Sequence, residues 1–135
     1  MSRFLERAKE LRGDDTRHYN CAQAVLIPCV EYAGIDHETA YRIAAAFGGG
    51  MKRASVCGAV TGGLMALGLF GMDDNASVGR YYRAFKEHHE GMMDCGDLLR
   101  VSAQNGIPRS EHCDGLVFEC VGLVEEILKE AGKIE

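Results

Sequence analysis

From Ala54 to Met72 the chain runs 19 residues without a charged side chain, and five of them are glycine (Gly58, Gly62, Gly63, Gly68 and Gly71). A helix needs about 20 apolar residues to cross a bilayer, so the length alone fits a membrane span. The composition does not. Glycine with interspersed Ser, Thr and Cys keeps the transfer energy modest, and no aromatic belt flanks the segment. Such a stretch is better placed as a buried helix whose small residues let neighbouring helices approach closely. It predicts a helical bundle packed around this segment, with no membrane span.

The rest of the chain carries helical periodicity. Phe4, Leu5, Ala8 and Leu11 form one apolar stripe, ended by Gly13. Asn20 followed by Gln23 reads as a capping box, opening a second helix that runs toward Gly34 with Pro28 as a kink or early stop. Asp36 caps a third helix with Ala40, Tyr41, Ile43, Ala44 and Phe47 on its core face. The fourth spans about Cys57 to Met72. A fifth follows Asp73-Asp74-Asn75 and places Tyr81, Phe85, His88, His89, Met92 and Met93 at helical spacing. Cys95 opens at most a short helical turn. The last helix starts between Ser110 and Asp114, with Leu116, Val117, Cys120, Val121, Leu123, Val124, Ile127 and Leu128 inward. No strand-like alternation of useful length occurs. The expected fold is all-α: one domain over residues 1–135, a bundle of five to six helices with the glycine-rich helix buried at its centre.

Composition removes several functions. A length of 135 residues suits one domain with its own core. The formal charge of -5 and the absence of any basic run argue against a nucleic-acid partner. The first twelve residues alternate charged and apolar side chains, unlike a signal peptide, which leaves a cytoplasmic location as the expectation. In that compartment clustered cysteines point to metal binding or transient redox chemistry rather than structural disulfides.

Helix geometry sorts the six cysteines. Cys21 and Cys29 lie eight positions apart on one helix, about 12 Å at 1.5 Å per residue; Cys113 and Cys120, seven apart, are separated by about 10 Å. A disulfide needs Cα atoms within about 7 Å. One metal ion holds thiolate sulfurs within about 4 Å of each other, given Zn–S bonds of about 2.3 Å. Neither pair can share a site. Cys29 and Cys120 fall inside apolar stripes and are assigned to the core, where a free cysteine acts as a small hydrophobe. Cys21, Cys57, Cys95 and Cys113 remain, each near a helix end.

Cys57 carries the strongest chemical signal. It follows Gly48-Gly49-Gly50-Met51-Lys52-Arg53 and stands at a helix start. Unpaired backbone N–H groups, the positive end of the helix dipole and two nearby cations all favour a thiolate. Gly48, Gly49 and Gly50, with Arg53, are candidates to hold a ligand against the site. The same glycines could merely turn the chain around a buried Cys57. His112, beside Cys113, is a candidate base or ligand. His88 and His89 point about 100° apart on a helix and suit a solvated or core-edge role. No Cys-x-x-Cys-His, Cys-x-x-Cys or GxxxxGK[ST] spacing occurs, which argues against covalent haem, a thioredoxin-type dithiol and a phosphate loop.

Asn20-Cys21-Ala22-Gln23-Ala24-Val25, Phe47-Gly48-Gly49-Gly50-Met51 and Cys57-Gly58-Ala59-Val60-Thr61-Gly62, followed by Cys95 with Asp97-Leu98-Leu99 and Cys113 with Leu116-Val117, resemble the C_GCAxxG_C_C family. The likeness runs from Asn20 to Leu128. It implies redox activity and places the four motif cysteines on Cys21, Cys57, Cys95 and Cys113, leaving Cys29 and Cys120 outside. Some relatives are domains of larger electron-transfer proteins with haem or iron–sulfur centres; without a haem attachment motif, haem is not carried over.

Three functions stay open on the sequence. In the first, Cys57 attacks as a thiolate and one of Cys21, Cys95 or Cys113 resolves the mixed disulfide, with an unidentified redox partner. In the second, the same four thiolates hold an iron–sulfur cluster or a single metal ion. In the third, the chain is a non-catalytic interaction module. The glycine-rich helix could pack within the chain or across a homodimer interface.

Overall fold

The computed structural model describes residues 2–135, among which the chain forms seven α-helices and no β-strand. Local signals set most helix starts. Ser2 accepts a hydrogen bond from the Leu5 amide at 3.0 Å and opens α1 (Arg3–Arg12), which buries Phe4, Ala8 and Leu11. The capping box opens α2 (Cys21–Tyr32): the Asn20 side chain accepts from the Gln23 amide at 2.9 Å, and Gln23 accepts from the Asn20 amide at 2.7 Å. Such a cap is worth about 1 kcal/mol. Asp36 caps α3 (His37–Ile43), and a 3-10 turn, Ala45–Phe47, follows. Then come α4 (Gly58–Leu69), α5 (Asn75–Glu87) capped by Asp74, α6 (Cys95–Gln104) and the long α7 (Arg109–Glu130).

The helix count exceeds the expected five to six because the segment after Cys95 is not a single turn. It forms the ten-residue α6, with Leu98 and Ser102 buried. α5 also ends earlier than its apolar spacing predicts, at Glu87; Glu90 and Gly91 then take φ of 54° and 83° and turn the chain. Ile43, expected inside, is 58% exposed because α3 stops there.

The most enclosed helix is α2, with Ala22 through Val30 all buried, and it runs through Pro28 to Tyr32. The glycine-rich α4 lies against it. A Cβ on Gly62 would meet the Ala22 carbonyl oxygen at 2.6 Å, and one on Gly63 would fall on the Tyr81 hydroxyl. That hydroxyl, fully buried on α5, donates to the Val60 carbonyl at 3.1 Å. The small-residue face of α4 is therefore occupied from within the chain. α7 closes the bundle with Leu116, Val117, Cys120, Val121, Val124, Ile127 and Leu128. Among the described residues no helix is long and apolar enough to cross a membrane.

Candidate functional site

Three helix starts and the first turns of a fourth helix meet around one cavity. Cys21 is the first residue of α2, fixed by the Asn20 cap. Gly48 lets the loop press against that cap, since a Cβ there would meet the Asn20 side chain at 2.6–2.8 Å. Cys57 and Cys95 are drawn together by a short antiparallel bridge, Val56 opposite Asp94. In it the Cys57 amide donates to the Met93 carbonyl at 2.8 Å and the Cys95 amide to the Ser55 carbonyl at 2.6 Å. Cys57 directly precedes α4, and Cys95 is the first residue of α6. Cys113 stands one turn into α7.

All four cysteines line a cavity of about 430 Å³. Arg12 and Arg109 line it together with His18 and His112, and among the described residues no carboxylate does; burial and the nearby His89 push His112 toward its neutral form. Arg12 is held by Asp114 (Nε to Oδ1, 2.6 Å) and donates to the Tyr19 carbonyl at 2.8 Å. Four helix N-termini around the same space add positive potential.

The thiols are not equivalent. Cys113 is held below the ordinary thiol range, chiefly by the neighbouring Cys21 thiol; Arg12 and Arg109 add to this and burial opposes it. Cys21 is pushed up by the same neighbour, Cys113, and by burial. Cys57, 3% exposed, is raised to about 11 by burial, with the Val60 and Ala59 amides pulling the other way. Cys95 is raised by burial and by proximity to Cys113, against Arg109.

Burial thus opposes the thiolate expected at Cys57, whereas the surroundings of Cys113 favour one. The difference also follows from where the cations go. After Gly48 the chain makes a left-handed turn through Gly49, Gly50, Met51 and Lys52, with φ of 63°, 64°, 60° and 57°. That turn leaves Lys52 and Arg53 exposed, and neither lines the thiol cavity. Arg53 is therefore not placed to hold a ligand there. Of the three glycines, Gly49 lines the cavity, whereas Gly48 and Gly50 allow close packing. A Cβ on Gly50 would meet Ser55 backbone at 2.5 Å and Cys95 Cβ at 2.9 Å.

Among the described residues no three His, Cys, Asp or Glu side chains stand close enough together to hold a metal ion. His89 pairs with Glu119 at 2.8 Å and stacks on Phe85, a core-edge position; His88 is exposed. His112 lines both the thiol cavity and the groove beside His88 and His89. Cys29 and Cys120 are buried, and neither lines the cavity. Arg12 and Arg109 are the site residues that motif reading missed. Arg109 stands four positions before Cys113, on the same helix face, a spacing visible in the sequence. Arg12 lies across a loop from Cys21 and gives no local signal.

Fold and cavity together define an all-helical protein with a thiol-lined, cationic pocket. Residues 19–127 match the family described as "Putative redox-active protein (C_GCAxxG_C_C)", and the chain belongs to that family. No curated protein and no protein of solved structure matches it.

Proposed function

We propose that the protein is a thiol–disulfide oxidoreductase in which Cys113 is the attacking thiolate and Cys21 the resolving thiol. The observation that carries this reading is the convergence of Cys21, Cys57, Cys95 and Cys113 on one cavity, where the surroundings lower the Cys113 thiol and raise that of Cys21. The Cys113 thiolate attacks one sulfur of a substrate disulfide, forming a mixed disulfide and releasing the other half as a thiolate, which takes up a proton. Cys21 then loses its proton and attacks the Cys113 sulfur. The Cys21–Cys113 disulfide forms, the second substrate thiol leaves, and two electrons have passed from protein to substrate.

Cys57 and Cys95 stay protonated at neutral pH, within electrostatic reach of Cys113, as a second dithiol at the same site. A thiol reductant restores the protein, a chemistry suited to a reducing compartment such as the cytoplasm. Peptide mapping after anaerobic treatment with a small disulfide tests the assignment. The expected product is a Cys21–Cys113 bridge with Cys29 and Cys120 free. A product in which Cys113 remains free while Cys57 is bridged would overturn it.

A further inference from the structure

The charge of the cavity wall points to its substrate class. The chain carries 20 acidic residues against 15 Lys and Arg, yet Arg12 and Arg109 line the cavity and, among the described residues, no Asp or Glu does. Arg12 already has a carboxylate partner in Asp114. Arg109 has none among the described residues, whose arginine ion pairs involve Arg7, Arg12, Arg17, Arg80 and Arg100.

Arg109 also breaks a local rule. It is the first residue of α7, where the helix dipole disfavours a cation. It is exposed and forms no compensating ion pair, so its position brings the helix no electrostatic gain. Residues that break local rules in this way concentrate at functional sites. At the site it favours negative charge on Cys113, and more weakly opposes the rise at Cys95. That charge disappears once Cys113 enters a mixed disulfide, because the sulfur becomes neutral. At that stage the guanidinium of Arg109 faces the bound half of the substrate with no counter-charge of its own.

We infer that the thiol cavity selects small, carboxylate-bearing disulfides, with Arg109 as the group that recognises the carboxylate. The inference rests on the thiol-exchange reading above for the disulfide, and on the cavity wall for the charge. A volume of about 430 Å³ admits a small molecule rather than a protein segment of any size. The exchange step is the one already balanced: the substrate disulfide is reduced to two thiols as Cys21 and Cys113 are oxidised.

Two measurements separate the two parts. The first compares alkylation of Cys113 by iodoacetate and iodoacetamide, which differ in charge, read by mass spectrometry against the same pair of rates on a small free thiol. The iodoacetate-to-iodoacetamide ratio at Cys113 is expected to exceed the free-thiol ratio by about fivefold or more at low salt, and to fall in 0.5 M salt as screening predicts. Arg109→Gln should bring the ratio close to the free-thiol value, and Arg109→Lys should keep most of it. A wild-type ratio equal to that of the free thiol, or one unchanged in Arg109→Gln, overturns the inference. The second measurement oxidises the protein with dithiodipropionate, an anionic disulfide, and with neutral hydroxyethyl disulfide, each rate normalised to that of a reference thiol. A normalised preference for the anion supports the inference, and equal rates overturn it. Failure of both disulfides to oxidise the protein, with the alkylation preference intact, overturns the exchange reading and leaves the anion selectivity standing.

Discussion

Cys113 and Cys57 show how position, not residue type, decides thiol chemistry. Both stand near helix starts, and one is a favoured thiolate while the other is a buried thiol. A thiol at about 11 is ionised to about one part in ten thousand at pH 7. Cys113, lowered by Cys21, Arg12 and Arg109, is ionised far below the ordinary thiol value of about 8.5. Because the thiolate is the reactive form, the two residues should differ in pH profile. Alkylation of Cys113 should level off below the pH at which an ordinary thiol does, whereas any reaction at Cys57 should still be rising at pH 9. Cys21→Ala removes the largest of the influences on Cys113, so its plateau should move to higher pH. An unmoved plateau in this variant would show that Cys21 does not set the thiolate.

At the scale of elements, the glycines of α4 govern how closely two helices meet. Gly62→Ala places a methyl group 2.6 Å from the Ala22 carbonyl, an atom of backbone that cannot swing aside. The expected cost is about 1–3 kcal/mol, as for overpacking elsewhere. Gly122→Ala, in the exposed middle of α7 with open space around the position, should instead stabilise by about 0.5–1 kcal/mol. Denaturant midpoints of the two variants should move in opposite directions. Equal shifts would mean that the α2–α4 contact is not tight.

These contacts also mark what a sequence can reveal. Asn20, Gln23, Asp36 and Asp74 announced helix starts because a cap acts within three residues. Cys21, Cys57, Cys95 and Cys113 stood out by exclusion, since intrahelical spacing removes one member of each pair and the apolar stripes assign Cys29 and Cys120 to the core. The full length of α6 was hidden, because its apolar face is short and its start lies in the bridge to Val56. The cation set was hidden for a different reason. A left-handed turn through Met51 and Lys52 is unfavourable for residues with a side chain, by about 1–2 kcal/mol each, and no local pattern predicts it. It carries Lys52 and Arg53 away from the site that their sequence position suggests.

Across the whole molecule, the bundle brings together groups more than 90 residues apart in the chain. Arg12 and Asp114 pair across the cavity side of α1 and α7, and Cys21 meets Cys113 beside them. Heightened reactivity at Cys113 would thus be a property of the assembled fold, and on unfolding it should fall to that of an ordinary thiol. The central claim, attack by Cys113 and resolution by Cys21, is tested most directly by trapping the intermediate. When the Cys21→Ser variant is treated with a small disulfide and its intact mass and peptides are measured, one small-thiol adduct should accumulate on Cys113, and Cys113→Ser should form none at comparable speed. Accumulation on Cys57 instead, or undiminished reaction in Cys113→Ser, would contradict the account.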